Sequence, residues 1–255
     1  MLPYNLRMIP ILMYHQIGEP AARGTPYRGL TVHPAKFRSQ MTWLRRLGYR
    51  GLSMRELLPY VRGERHGKVV GITFDDGYRN VLENALPVLA DVDFTATNYF
   101  VVRQLGGGNV WDYREGVPHS DLMSVNELRA WSKAGHEVGS HTLNHPFLPT
   151  LSPELAANEI RDSRQALEQI LGAPVESFCY PYGGESPALR QVVREAGYSN
   201  ATTTERGLVR ADDDIMGLPR IFVARSAHLL RFLQKTLTAL EDRRRRRTEA
   251  VADHG

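Results

Sequence analysis

The chain has 255 residues, 42% of them hydrophobic and 24% charged, which places it among globular proteins and excludes a disordered or membrane-spanning chain. Its formal charge of +4 is smaller than the contribution of the five arginines at 243–247, so the body is near neutral and a broad nucleic-acid surface is not expected. The single cysteine, Cys179, excludes an intramolecular disulfide.

Residues 1–8 include Pro3, Asn5 and Arg7 and contain no long apolar run. Neither a signal peptide nor a transmembrane helix is expected there. With the lone cysteine this makes a cytoplasmic location the expectation, at most at the membrane face.

In chain order, Ile9-Pro10-Ile11-Leu12-Met13-Tyr14-His15 reads as a buried strand with His15 at its C-terminal end. Residues 19–31, rich in Gly, Pro and Arg, read as a surface loop. Phe37, Met41, Leu44 and Leu47 make a helical stripe over 34–47, stopped by Gly48, and 54–61 reads as a second, shorter helix. Val69-Val70-Gly71-Ile72 is apolar and β-branched and reads as a buried strand, with a helix over 80–90 after it. A strand over 94–102 leads into a Gly-rich loop, 104–120, expected to border the site.

Ser124 and Glu127 have the spacing of a capping box for a helix through Lys133, which Gly135 stops. A short strand, 137–140, leads to His141. Ser152 and Pro153 open a helix to Leu171. A strand at 175–180, a helix at 187–196, strands at 198–204 and 218–223, and an amphipathic helix at 227–240 complete the series. Repeated strand–helix units predict an α/β fold with a parallel sheet, and their number suits a closed barrel. One domain is expected over 1–242. The basic segment 243–255 is expected to be a flexible tail, with anionic lipid headgroups as its conceivable contact.

Three stretches carry chemistry. In Thr73-Phe74-Asp75-Asp76-Gly77-Tyr78 two carboxylates sit side by side where a strand ends. In an apolar pocket such a pair repels unless a cation intervenes, so one carboxylate can bind a metal while the other moves protons. A plain polar turn is the alternative. In Ser140-His141-Thr142-Leu143-Asn144-His145-Pro146 the two histidines are four apart, and on a helical turn they face the same way. Asp76, His141 and His145 then form a catalytic-type metal set with open positions. The alternative is solvated surface. Phe178-Cys179-Tyr180-Pro181-Tyr182-Gly183-Gly184 is a rigid turn that can aim a backbone N–H at an oxyanion, or a plain aromatic loop.

In this order the three stretches resemble the polysaccharide deacetylases of carbohydrate esterase family four, the NodB-homology domain, over roughly residues 9–223. The resemblance implies a distorted (β/α)7-type barrel, the glycoside hydrolase/deacetylase fold. It implies Asp75 as general base, Asp76, His141 and His145 as ligands of one divalent metal ion, and Tyr182 as the oxyanion-binding N–H. Zinc heads the candidates, with cobalt, nickel and manganese behind it.

The chain departs from the family in two places. Cys179 stands where many members have an arginine that orients the base, and Arg220 is the candidate substitute. No late-strand histidine is present to serve as general acid, and His228 opens a helix. Met13-Tyr14-His15 resembles the start of the circularly permuted poly-N-acetylglucosamine deacetylase branch, which implies His15 as the general acid. The activity implied is removal of an N-acetyl group from an amino sugar in a glycan or glycoconjugate precursor. The alternatives are an amidase acting on a non-sugar C–N bond and a non-catalytic carbohydrate-binding barrel, which would be marked by loss of the base or of a ligand.

Among the remaining residues, Asn98 is expected to make a structural hydrogen bond. Trp111 and Tyr113 either stack on a sugar or pack. His136 and Glu137 are expected to serve the edge of the site strand.

Overall fold

The computed structural model describes residues 8–243 and 245. Its elements run β1 (Ile11–Tyr14), β2 (Gln16–Ile17), β3 (Thr31–Val32), α1 (Pro34–Arg46), β4 (Arg50–Leu52), α2 (Met54–Val61), β5 (Val69–Phe74), α3 (Arg79–Asn84), α4 (Leu86–Val92) and β6 (Thr97–Phe100). They continue through α5 (Val125–Lys133), β7 (Glu137–Ser140), α6 (Pro153–Leu171), β8 (Ser177–Cys179), α7 (Pro187–Glu195), β9 (Asn200–Arg206), β10 (Leu218–Phe222) and α8 (Leu229–Leu237).

Strands β1-β10-β9-β8-β7-β6-β5 are hydrogen-bonded neighbours, and β5 pairs back onto β1 to close a seven-stranded barrel. Every pairing in it is parallel. β4 pairs with the first half of β5, and β2 with β3 as a separate ribbon. The closing pair sets Ile11 against Gly71 and Tyr14 against Phe74. It therefore brings the end of the first strand beside the end of the fifth, which is what the site requires of His15.

Side chains alternate between two layers, as the pleat demands. On β5, Val70, Ile72 and Phe74 belong to the outer core, packed with Phe37 and Met41 of α1, Val88 and Leu89 of α4, and Trp131 of α5. Inside, Ile11, Val69, Tyr99, Cys179 and Leu218 pack with Met54, Leu57 and Tyr60 of α2. A Cβ on Gly71 would stand 2.7 Å from Leu57 and one on Gly139 2.4 Å from the Tyr99 ring, so glycine makes the room at both places. α2 is tied in by its first amides. Met54 N–H donates to Thr97 Oγ1 (2.8 Å) and Arg55 N–H to Glu137 Oε2 (2.8 Å), which satisfies donors that a helix start leaves without intrahelical partners.

Several expectations need correction. The helix expected over 80–90 is two helices, broken at Ala85. Pro87 falls in the first turn of α4, where its missing N–H does no harm, whereas inside one continuous helix it would clash with the preceding turn. β2, β3 and β4 were not anticipated, because two- and three-residue strands carry no periodicity. The 104–120 loop contains a 3-10 turn, Val110–Glu115. The capping box at Ser124 and Glu127 is formed. Glu137 does not serve a strand edge. It is buried and accepts hydrogen bonds from Thr97 and Ser177. His136 is buried against Trp131, ring centroids 4.4 Å apart. The Asn98 side chain is buried but has no hydrogen-bond partner among the described residues.

At the C-terminal end, 240–243 are helical and Arg245 meets Glu205 (2.7 Å) and Asp213 (2.8 Å), so it is anchored to the body. Arg244, Arg246 and Arg247 lie outside the described residues, as do 1–7. Among the described residues no helix is long and apolar enough to cross a membrane.

Candidate active site

The C-terminal ends of the barrel strands gather the residues singled out above. His15 follows β1, Asp75 and Asp76 follow β5, His141 follows β7, and Tyr182 follows β8. His15, Asp75, Asp76, His141, His145 and Tyr182 all line one cavity of about 160 Å³, together with Tyr27, Leu30, Trp111, Asp112, Tyr180 and Thr204.

The two adjacent carboxylates face different company. Asp76 Oδ1 stands 3.4 Å from His141 Nε2 and 3.4 Å from His145 Nε2. All three side chains are buried. His141 Nδ1 lies 2.7 Å from the Cys179 carbonyl oxygen, which can only accept, so Nδ1 carries the proton and Nε2 offers a lone pair. That lone pair points at a carboxylate, which also only accepts, and this electron-rich juxtaposition fits a cation. The spacing agrees. Ligand atoms about 2.1 Å from a tetrahedral ion stand roughly 3.4 Å from one another. The donor atoms of Asp76, His141 and His145 lie within 4.8 Å of one another. Two nitrogens and one oxygen with a cavity beside them are the donor set of an open, catalytic-type site, so the residues present fit a divalent metal.

Asp75 turns away from those histidines toward Arg220. The guanidinium Nη1 and Nη2 each lie 2.7 Å from one carboxylate oxygen, a bidentate pair. Arg220 sits inside β10 and is fully buried, and Nε donates to the Thr203 carbonyl and Nη1 also to Thr73 Oγ1. Its Nη2 reaches Cys179 Sγ at 3.2 Å. A compact residue at 179 thus leaves the barrel interior free for a guanidinium that enters from β10. Burial pushes the Asp75 carboxyl up, but the charge and hydrogen bonds of Arg220 outweigh it and hold it below the usual range. His15 Nε2 stands 3.8 Å from Asp75 Oδ2, and its Nδ1 is buried without a partner among the described residues.

The expected helical turn for the histidine pair does not exist. Thr142 and His145 both have positive φ (68° and 62°), and the stretch is a loop. Pro146 disfavours the right-handed helical region at His145, the one residue it restricts. The loop holds its shape through Glu159, which accepts from the N–H groups of Leu143 and Asn144. Tyr182 also has positive φ, 57°. The next two amides are tied down, Gly183 to Tyr180 and Gly184 to Pro181, while the Tyr182 N–H donates to no backbone carbonyl among the described residues. Of the six non-glycine residues with positive φ among those described, five are Tyr27, Asp76, Thr142, His145 and Tyr182, which line the cavity or shape its ligand loop. Such conformations cost on the order of 1–3 kcal/mol each, and their concentration here marks the site.

Some of the lining was not foreseen. Trp111 stacks on His145 (centroids 4.6 Å, 27°), and Tyr182 meets that ring in a T-shaped contact (4.6 Å, 71°). Tyr113 is not in the cavity; its hydroxyl bonds His119 (2.6 Å). Asp112 lines the cavity, and burial together with the negative charge of Asp76 pushes its carboxyl up to about 6. Only its place beside Trp111 in a Gly-rich loop could have signalled it. His228 caps α8, accepting from the Arg231 N–H, and has no place in the cavity.

A closed parallel barrel with paired carboxylates and two histidines at its strand ends presents the donor set of a catalytic-type metal site. Comparison with known proteins identifies the family. The sequence profile described as polysaccharide deacetylase matches residues 62–201. YxkH of Bacillus subtilis is 27% identical over 218 residues, 85% of this chain and 71% of that protein. The poly-beta-1,6-N-acetyl-D-glucosamine N-deacetylase of Staphylococcus epidermidis is 25% identical over 205 residues, 78% of this chain and 70% of that one. Among solved structures, the Streptococcus pyogenes deacetylase PplD in complex with acetate superposes with a TM-score of 0.79 at 27% identity, over 91% of this chain and 99% of that one. The chain belongs to the polysaccharide deacetylase family.

Proposed function

We propose that this protein is a metal-dependent hydrolase that removes the N-acetyl group from an amino sugar of a glycan. One observation carries the reading: neighbouring carboxylates divide between two histidines and an arginine, so that one is suited to a cation and the other to proton transfer. The names of the Staphylococcus epidermidis and Streptococcus pyogenes relatives support deacetylation as the reaction.

Asp76, His141 and His145 would hold the ion, zinc first by the nitrogen–oxygen donor set. When bound, it supplies a Lewis acid for the acetamide carbonyl and acidifies a water. Asp75 Oδ2, beside the cavity and near His15, accepts the water's proton, and Arg220 keeps that carboxylate ionised and aligned. The Tyr182 N–H, which donates to no backbone carbonyl among the described residues, serves the developing oxyanion. His15 delivers a proton to the departing amine, whose expulsion is otherwise slow. Trp111 and Tyr182 line the cavity, and each makes a ring contact with His145.

The test is metal analysis of the purified protein followed by acetate release from N-acetylglucosamine oligomers, with and without a chelator. Chelator-sensitive release is expected. Bound metal with no hydrolysis of any acetamide would overturn the enzyme in favour of a binding protein.

A further inference from the structure

Beside the catalytic cavity lies a second one, of about 220 Å³, and the two share Tyr27, Leu30 and Asp112 as a common wall. Four carboxylates line the pair of cavities, and three of them are engaged. Asp75 is paired with Arg220, Asp76 faces His141 and His145, and Glu19 is turned to His33, 2.8 Å away. The fourth, Asp112, has the Trp111 side chain as a hydrogen-bond donor and forms no ion pair among the described residues. An indole supplies a single N–H, whereas a carboxylate accepts about four hydrogen bonds, so most of its acceptor capacity is left over.

Such an arrangement is costly to keep in a fold. Asp112 is only 6% exposed, and a carboxylate withdrawn from water without full partners destabilises the chain that carries it. The loop around it is nonetheless built to hold it in place. Asp112 N–H donates to the Asn109 carbonyl (3.1 Å). The Asn109 side chain, itself buried, donates to the Pro118 carbonyl (3.1 Å) and accepts from the Ser120 N–H (2.8 Å), which ties the two ends of the loop together. Gly108 pairs with Asp121 in an isolated antiparallel bridge at the base of the same loop. A fixed acceptor on the wall between two cavities, kept at a cost to stability, fits a ligand contact, because a group already held in position loses little freedom on binding.

We infer that Asp112 is a substrate-binding residue whose carboxylate accepts a hydrogen bond from a hydroxyl of the amino sugar, holding the ring at the threshold between the two cavities while the acetamide lies beside Asp76, His141 and His145. This rests on the deacetylase reading above, in which the donors that the sugar offers besides its amide are hydroxyls. It makes Asp112 a determinant of specificity, since a sugar without that hydroxyl leaves the buried carboxylate short of a partner.

The test compares the methyl glycoside of N-acetylglucosamine with the three analogues that each lack one of its hydroxyls, using metal-loaded full-length protein. Wild type is expected to disfavour one analogue about ten- to a hundredfold in kcat/KM, the worth of a hydrogen bond to a charged group. Asp112→Ala should lose about the same factor on the parent sugar and nothing further on that one analogue, because both changes remove the same contact. Asp112→Asn, which leaves an acceptor in the same place, should lose less. The same four sugars, titrated by calorimetry into metal-loaded Asp75→Asn with and without Asp112→Ala, repeat the comparison without turnover. Two further readouts separate a ligand contact from mere support of the Trp111 ring. Asp112→Asn should hold metal as tightly as wild type and unfold at no lower urea concentration. An equal fall on all four sugars, or weakened metal binding in Asp112→Asn, overturns the inference and leaves the deacetylase standing. A wild-type protein that neither binds nor hydrolyses any of the sugars overturns both.

Discussion

Arg220 and Asp75, 145 residues apart in the chain, meet as a buried bidentate pair in the middle of the barrel, both contacts at 2.7 Å. Both side chains are withdrawn from bulk solvent, Arg220 being fully buried and Asp75 2% exposed. Removing one partner strands the other, which costs on the order of 3–5 kcal/mol. Arg220→Met is therefore expected to be strongly destabilised in urea unfolding. The double variant with Asp75→Asn should recover part of the loss, since the stranded charge is gone.

The same pair predicts a shift in the pH profile. Arg220 holds the Asp75 carboxyl below its usual range against burial, so its loss raises that group's pKa. In Arg220→Lys, where a charge remains but the fork does not, the acid limb of kcat against pH should move to higher pH. An acid limb unchanged from wild type, in a folded and metal-loaded variant, would show that Asp75 is not the group titrating in turnover.

The two neighbouring aspartates should separate cleanly. Asp75→Asn is expected to retain stoichiometric metal while kcat falls on the order of 10²–10⁴, the usual worth of a general base. Asp76→Asn should lose metal first, with activity following metal content. Metal analysis and acetate release on both proteins check this, and loss of metal in both variants would erase the division of labour.

The parts of this site legible in the sequence were those written as short local patterns. Asp75 and Asp76 follow a run of β-branched residues, and the spacing of His141 and His145 is visible without any fold. The geometry behind that spacing is not legible: spacing alone suggests a helical turn, whereas Thr142 and His145 take left-handed conformations in a loop. Pairing between distant residues was the least legible. Arg220 could be nominated for Asp75 only because Cys179 left a vacancy in a known pattern, and its bidentate geometry depends on how β10 and β5 flank β1 in the closed barrel. A closed barrel follows from the number of strand–helix repeats, and its seven units from the family resemblance. β4 follows from neither: it is three residues long, and its Gly51 reads as a turn, yet a Cβ there would stand 2.4 Å from the Phe94 ring. Trp111 was equally placed between packing and sugar contact, because the sequence cannot say which ring a loop aromatic will meet.

The stack of Trp111 on His145 makes a further prediction. An imidazole stacked on Trp111 and in T-shaped contact with Tyr182 is held in one orientation before any ion arrives. Trp111→Ala should weaken metal binding about tenfold, the lower end of what loss of a group that orients a ligand costs. A competition titration against a chromogenic chelator measures this without reference to turnover. Trp111→Phe, which keeps a ring over His145, should lie between the two.

Stability has its own acid-sensitive element away from the site. His136 is 5% exposed, stacked on Trp131, and its Nδ1 has no partner among the described residues. Burial pushes its pKa down to about 4, with Glu56 opposing. The ordinary value in an unfolded chain is about 6.5. The folded state thus binds fewer protons than the unfolded state between those values, and stability rises with pH there. Its contribution is complete above about pH 6.5 and is lost as pH falls toward 4, about 3 kcal/mol in all at 1.36 kcal/mol per pH unit. His136→Phe keeps a ring against Trp131 and removes the titration. The difference in urea stability between wild type and this variant should therefore change by about 3 kcal/mol between pH 7 and pH 4, in the direction that favours the variant in acid. A difference that stays constant across that range would mean that His136 is protonated at no cost within the fold.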